Sequence, residues 1–308
     1  MLEALGAMAL IIALGVTWAR ARWGDIRVDA TRRVLAASVY YLFLPALVLD
    51  LFWPARFGPD SLAIAIVAAC SILAGLGAGW LLAWARGASR AERGAMILAA
   101  GYSNVTYLGL PLLTAVYGAT GASVAIQYDL LASTPLLFSL GVLIAAHFGS
   151  RPGPDGKLQP LATLLRVPAL WALASASALT GLGVTPPGVI AAALDLLAAP
   201  VTPLMLITLG LALRLEPQAL RPRLTLPVSA ITLVLVPALA LVLSRQLIDD
   251  PIAQVGTVLE AAMPSMVFGV VLCERYGLDA SLYANIVTVT TLLSLATLPL
   301  WQAIATAP

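Results

Sequence analysis

The chain has 308 residues, of which 61% are apolar and 10% charged, with a formal net charge of +2 at pH 7. Soluble domains carry charge on roughly 25% of their residues, so most of this chain has lipid rather than water as its solvent. That leaves no stretch for a soluble domain and no sustained basic surface for a nucleic acid, and it predicts an all-α polytopic membrane protein.

Apolar stretches able to cross roughly 30 Å of hydrocarbon fall at 2–19, 34–53, 61–85, 94–117, 121–147, 160–182, 187–213, 224–244, 252–274 and 281–303. The first lacks a basic leader and a small-residue cleavage site, so it is expected to stay as a span. The third carries Gly75, Gly77 and Gly79, a small-residue stripe suited to close helix packing within the protomer. The seventh is expected to kink at Pro200 and Pro203. Cys70 and Cys273 sit inside apolar runs without metal-ligand spacing and read as small core residues. A glycine- and proline-rich linker at 149–159 separates two halves, 1–148 and 160–308.

Alternate loops fall on one face of the membrane. One face takes Arg20, Arg22, Arg27, Arg32, Arg33, Arg86, Arg90, Arg93, Arg151, Lys157, Arg166, Arg214, Arg221, Arg223 and Arg275, and the other takes only Arg56 and Arg245. The positive-inside rule puts the richer face in the cytoplasm and both termini outside. Ten spans with both ends on one side divide into five and five, and an odd number per half gives the halves opposite orientation. A faint internal echo agrees: Tyr117-Gly118 followed by Ala122-Ser123 resembles Tyr276-Gly277 followed by Ala280-Ser281, and Thr134-Pro135-Leu136 resembles Thr297-Leu298-Pro299-Leu300.

Two spans are interrupted. The fourth contains Gly101-Tyr102-Ser103-Asn104-Val105-Thr106-Tyr107-Leu108-Gly109-Leu110-Pro111, and the ninth contains Glu260-Ala261-Ala262-Met263-Pro264-Ser265. Proline removes a donor and disfavours helix at the preceding residue, and backbone groups freed by a break need a partner that lipid cannot supply. Such breaks mark transport sites, and the exposed amides at the start of each second half-helix suit an anion. Asn104, Thr106, Ser103, Tyr107, Pro111, Pro264, Ser265 and Met263 are therefore the expected substrate-site residues. Asp129, Asp195 and Glu260 lie within apolar runs and are the ion-coupling candidates, with Glu260 favoured because it stands beside a break. The structural alternatives are a proline that only kinks its helix, an Asn104 that only bonds a neighbouring helix, and a Glu260 that only hydrogen-bonds within the bundle. No nucleophile elbow, HExxH motif or phosphate loop is present.

Asn104-Val105-Thr106-Tyr107-Leu108-Gly109-Leu110-Pro111-Leu112 resembles the asparagine-to-GLPL stretch of the auxin efflux carrier family, which holds plant PIN-type carriers and bacterial organic-acid permeases. Phe43-Leu44-Pro45-Ala46-Leu47, Pro203-Leu204-Met205, Ala261-Ala262-Met263-Pro264, Glu274-Arg275-Tyr276-Gly277 and Thr297-Leu298-Pro299-Leu300 extend the resemblance nearly end to end. It implies a fold similar to that of the bile-acid sodium symporters. The first, second, sixth and seventh spans would form a scaffold, and the other six a transport bundle whose fourth and ninth spans cross at their breaks. It also implies substrate at the crossing beside Asn104 and Pro264, an elevator-like shift, and a homodimer formed through the scaffold. Ser103 and Glu260 depart from the plant pattern, where proline and glutamine are usual. The expected function is secondary transport of a small organic anion across a bacterial-type plasma membrane, with no cofactor beyond a coupling proton. A sodium-coupled symporter, with Na⁺ near Glu260, and a membrane sensor without turnover are the rival readings.

Overall fold

A computed structural model describes residues 1–21, 27–54, 58–151, 164–213 and 220–307. Arg22, Arg56, Lys157 and Arg214, which enter the charge pattern, lie outside the described residues, as do 152–159 of the linker and 160–163 of the sixth expected span. The fold is all-helical: α1 (Leu2–Ala21), α2 (Val28–Phe52), α3 (Ser61–Ala85), α4 (Arg90–Gly101), α5 (Val105–Phe148), α6 (Pro168–Gly181), α7 (Gly188–Ala212), α8 (Pro222–Leu247), α9 (Pro251–Ala261), α10 (Phe268–Tyr276) and α11 (Ala280–Thr306). Among the described residues, the one departure toward sheet is a single antiparallel bridge, Ser103 with Ser265.

Seven of these helices, α1, α2, α3, α5, α7, α8 and α11, are long and apolar enough to cross a membrane. The chain is thus a multi-pass membrane protein. Its outward side chains agree, with Leu10 and Leu62 each 71% exposed and Val189 85% exposed, a surface suited to lipid rather than water. The other expected spans are not single long helices. The fourth and ninth are split by their breaks, and the described part of the sixth is the 14-residue α6. The 44 residues of α5 are not one rod. Gly118, at φ 61° and ψ −144°, turns the chain sharply, and a Cβ at Gly121 would collide with the Leu113 carbonyl. In a straight helix those two residues would be about 12 Å apart. The expected boundary between the fourth and fifth spans is this turn. The seventh expected span also bends, at the Ala199-Pro200 turn.

Four prolines open the long helices in the same way. Wide π turns run over Val39–Phe43, Val105–Gly109, Asp129–Ser133 and Ile231–Leu235, and Pro45, Pro111, Pro135 and Pro237 follow just beyond them. In each case the residue four before the proline is the middle of the π turn. A proline offers no N–H to that residue's carbonyl and its ring crowds it, so the helix opens by one residue there. Proline thereby accounts for these four openings, whereas α5 opens once more over Leu137–Gly141 without a proline beyond it, and Pro299 sits inside α11 with no π turn.

Packing falls into two groups. The Val201–Ala212 half of α7 lies along α1, where a Cβ on either Gly15 or Gly210 would come within 2.9 Å of the other's Cα. α2 packs on α6 and α7. In the second group α3 lies along α4 and α8, while α9 packs on α5, α8 and α11. Gly75 and Gly79 face Ala100 and Gly101 of α4, whereas Gly77 faces open space, so the stripe serves packing inside the protomer. The groups meet where α7 touches Val105–Gly109.

Polar clasps hold the helix ends. Ser89 and Glu92 form a reciprocal capping box at the start of α4. Asp279 caps α11 by accepting from the Leu282 N–H at 2.9 Å. Arg221, entering α8, pairs with Glu92 and also with Asp279, the latter at 2.7 Å. Burial pushes the Glu92 carboxyl up, but hydrogen bonds from Ser89 and the Arg221 charge outweigh it and hold the group below its ordinary value. At the other end of the bundle Asp60, before α3, accepts from the Asp249 and Asp250 amides at 3.1 Å each, and Asp250 caps α9 through the Ala253 N–H at 2.7 Å.

Candidate functional site

α4 ends at Gly101 and α9 at Ala261, and the residues that follow run antiparallel to one another. The Asn104 N–H donates to the Pro264 carbonyl at 2.7 Å, and the Met266 N–H donates to the Tyr102 carbonyl at 2.9 Å. The two breaks thus satisfy each other's freed backbone groups, which is what an interrupted span needs in lipid. Each break's serine also reaches the partner's first half-helix. Ser103 Oγ donates to the Ala261 carbonyl at 3.3 Å, and Ser265 Oγ donates to the Ala99 carbonyl at 2.8 Å. The Ser265 N–H is taken by Thr290 Oγ1 at 3.1 Å.

Beside this crossing lies a cavity of about 470 Å³. Its polar wall includes Asn104, Thr106, Tyr107, Asp129, Thr134 and Thr208, its apolar wall is built largely by α2, α5, α7 and α10, and Arg32, Arg33 and Arg166 also line it. Asn104 is 1% exposed and its Nδ2 has no hydrogen-bond partner. Both second half-helices begin at the cavity, with Asn104 the residue before Val105 and with Val267 and Phe268 in the lining, and neither start is capped by a side chain. First-turn amides without intrahelical partners make such starts partially positive. The Asp129 carboxylate is fixed by two hydroxyls, Thr106 Oγ1 at 2.6 Å and Thr134 Oγ1 at 2.8 Å.

The expected site residues divide accordingly. Asn104, Thr106 and Tyr107 line the cavity, and Asp129 joins them. Ser103, Ser265, Met263, Pro264 and Pro111 are buried in the crossing or the following helix, and none of them is in the cavity wall. The Ser265 hydroxyl and amide are both spent on protein partners, so the structure does not offer them to a ligand. Glu260 is fully buried behind the crossing, where a Cβ at Gly109 would collide with its carboxylate; neither carboxylate oxygen has a partner. The Tyr128 hydroxyl of α5 is likewise buried and unpartnered. Asp195 sits on an exposed side of α7 and is not in the cavity wall. Thr134, Thr208, Tyr40 and Phe268 are cavity residues that sequence reasoning did not select. Only Thr134 carried a signal, as the polar residue before Pro135. The rest are brought in by distant helices.

A multi-pass helical protein with a polar cavity at two crossing breaks defines a membrane transport protein. Residues 1–150 and 158–302 match the family described as membrane transport protein, so the chain belongs to it; this is the auxin efflux carrier family of the motifs above. A protein of Methanothermobacter thermautotrophicus named as an uncharacterized transporter is 30% identical over 264 residues, covering 85% of each chain. Another uncharacterized transporter, from Methanocaldococcus jannaschii, is 28% identical over 213 residues, covering 68% of this chain and 67% of its own. The family is one of transporters, not enzymes.

Proposed function

We propose that the protein is a secondary transporter of a small carboxylate-bearing solute, working by alternating access around the crossing of α4–α5 with α9–α10. The carrying observation is the cavity of about 470 Å³ that meets the crossing at an unpartnered Asn104 amide and two uncapped helix starts. These donors suit a carboxylate, and a helix start is a ready anion site. Arg32, Arg33 and Arg166 belong to the basic face, so the cavity on this reading opens to the cytoplasm of a plasma membrane and the conformation is inward-facing.

On the same reading the chain makes ten spans in two inverted five-span repeats. Supporting this, Gly118 and Gly277 of the two Tyr-Gly pairs both take positive φ, 61° and 73°, although their ψ values differ. The reciprocal serine bonds support it too, as does the matching of the Ser89 and Asp250 caps at the starts of α4 and α9. α1, α2, α6 and α7 act as the scaffold through which two copies pair, and the rest moves past it as an elevator. Glu260, buried without a partner, couples a proton to this movement. Sodium is the second reading, favoured by the two buried Glu260 oxygens that no protein donor takes up, since hard cations take oxygen ligands.

Proteoliposome uptake of a panel of labelled carboxylates, under a pH or a sodium gradient, tests both. Uptake of at least one carboxylate that collapses in Asn104→Ala supports the site, and gradient dependence lost in Glu260→Gln supports coupling. A panel in which no carboxylate is carried, while a cation or neutral solute is, overturns the anion reading.

A further inference from the structure

We propose that the solute is a zwitterion: an amino acid with an apolar side chain, whose carboxylate meets the Asn104 pole of the cavity and whose ammonium meets Asp129. The inference rests on the transport reading above and narrows its substrate class. Its starting point is a mismatch. A cavity built for a simple carboxylate should carry donors, yet this one also presents a carboxylate of its own.

Asp129 is 8% exposed and lines the cavity. Each of its oxygens accepts one hydroxyl, from Thr106 and from Thr134, and a carboxylate has about four acceptor positions in all. Among the described residues no basic side chain pairs with it. A carboxylate shielded from water and fixed by two neutral donors, with acceptor capacity left over, is arranged to receive a cationic donor. The opposite pole is the Asn104 Nδ2, buried and unpartnered, beside the uncapped start of α5. Thr106 is two residues from Asn104 and bonded to Asp129, and all three line the same cavity, so both poles belong to one stretch of its polar wall. An α-amino acid carries its ammonium and carboxylate on one carbon, which suits a donor and an acceptor set on one stretch of wall. A dicarboxylate would bring a second negative charge toward Asp129 instead.

The remainder of the cavity defines the side chain. Leu44, Leu130, Leu137, Phe138 and Phe268 make an apolar wall, and Tyr40 adds an aromatic face. A volume of about 470 Å³ exceeds what a glycine- or alanine-sized solute fills and accommodates an aromatic or branched apolar group.

The test compares three probes of one skeleton: phenylalanine, hydrocinnamate without the ammonium, and phenethylamine without the carboxylate. Binding to the purified full-length protein is measured by calorimetry and by ligand-induced thermal shift. Phenylalanine is expected to bind at least about tenfold more tightly than either truncated probe, as a charged hydrogen-bonded contact implies. Asp129→Asn should remove that advantage over hydrocinnamate while leaving hydrocinnamate affinity within about threefold. Asn104→Ala should weaken phenylalanine and hydrocinnamate together and spare phenethylamine. Hydrocinnamate binding as tightly as phenylalanine to the wild type overturns the zwitterion proposal and leaves carboxylate transport standing. Failure of both carboxylate probes, with phenethylamine bound, overturns both readings. If Asp129→Asn does not fold, the wild-type ranking decides, and Thr134→Val, which frees one Asp129 oxygen without touching charge, should keep the preference for phenylalanine.

Discussion

The two breaks are alike in backbone and unlike in what they offer. Both end a short helix, run extended for a few residues and open a second helix, and each bonds the other's chain. The first turns a polar amide into the cavity and leaves it unpaired. The second consumes its polar groups in packing, because Ser265 is held by both Ala99 and Thr290, and it keeps its one charged residue, Glu260, behind the crossing. Similar geometry thus leaves a free polar group at the first break and spends the polar groups of the second on packing.

The largest effect that would break this comparison is expected at its contact point. Gly109→Ala puts a methyl group into the Glu260 carboxylate. Overpacking of this kind costs about 1–3 kcal/mol, so a lowered thermal melting point and abolished uptake are expected. Gly109→Ala with Glu260→Ala should restore the melting point without restoring uptake; a double variant no more stable than the single one would show that the clash is not the cause.

Asn104→Ala sharpens the contrast. It should cut uptake at least about tenfold while the melting temperature stays within about 2 °C, since the lost amide had no partner to strand. Equal damage to stability and uptake would make Asn104 a structural residue. Ser265→Ala is expected to behave oppositely, losing about 1 kcal/mol of stability with ligand affinity unchanged. Ser103→Ala should lose less, because its bond is 3.3 Å against 2.8 Å.

The smallest effect concerns the clasp around α4. The Glu92 carboxyl is held below its ordinary value of 4.5, so its contribution to stability is present above that pH and is lost as pH falls through the folded-state value. Arg221→Gln should therefore flatten the fall in melting temperature on acidification below that pH. An unchanged acid slope would mean that the Ser89 capping box alone sets the Glu92 behaviour.

Much of the architecture was written locally. A run of apolar residues needs no partner to declare itself a membrane segment, and Pro45, Pro111, Pro135 and Pro237 specify their π turns from their own chemistry. Asn104 and Glu260 were legible for the same reason: a polar group in an apolar run is costly wherever the chain folds. The pairing of Ser103 with Ser265 was not, since nothing in either segment names the other across more than 150 residues. Nor could the sequence separate Asp129 from Asp195. Both are acids in apolar stretches, and only packing decides that one is clasped by Thr106 and Thr134 in the cavity while the other lies exposed outside its wall. Hydrophobicity and backbone chemistry are properties of single residues, so sequence alone determined the membrane class, the helical character and the two breaks. A site is a relation between residues, and only the tertiary structure decided which of them share one.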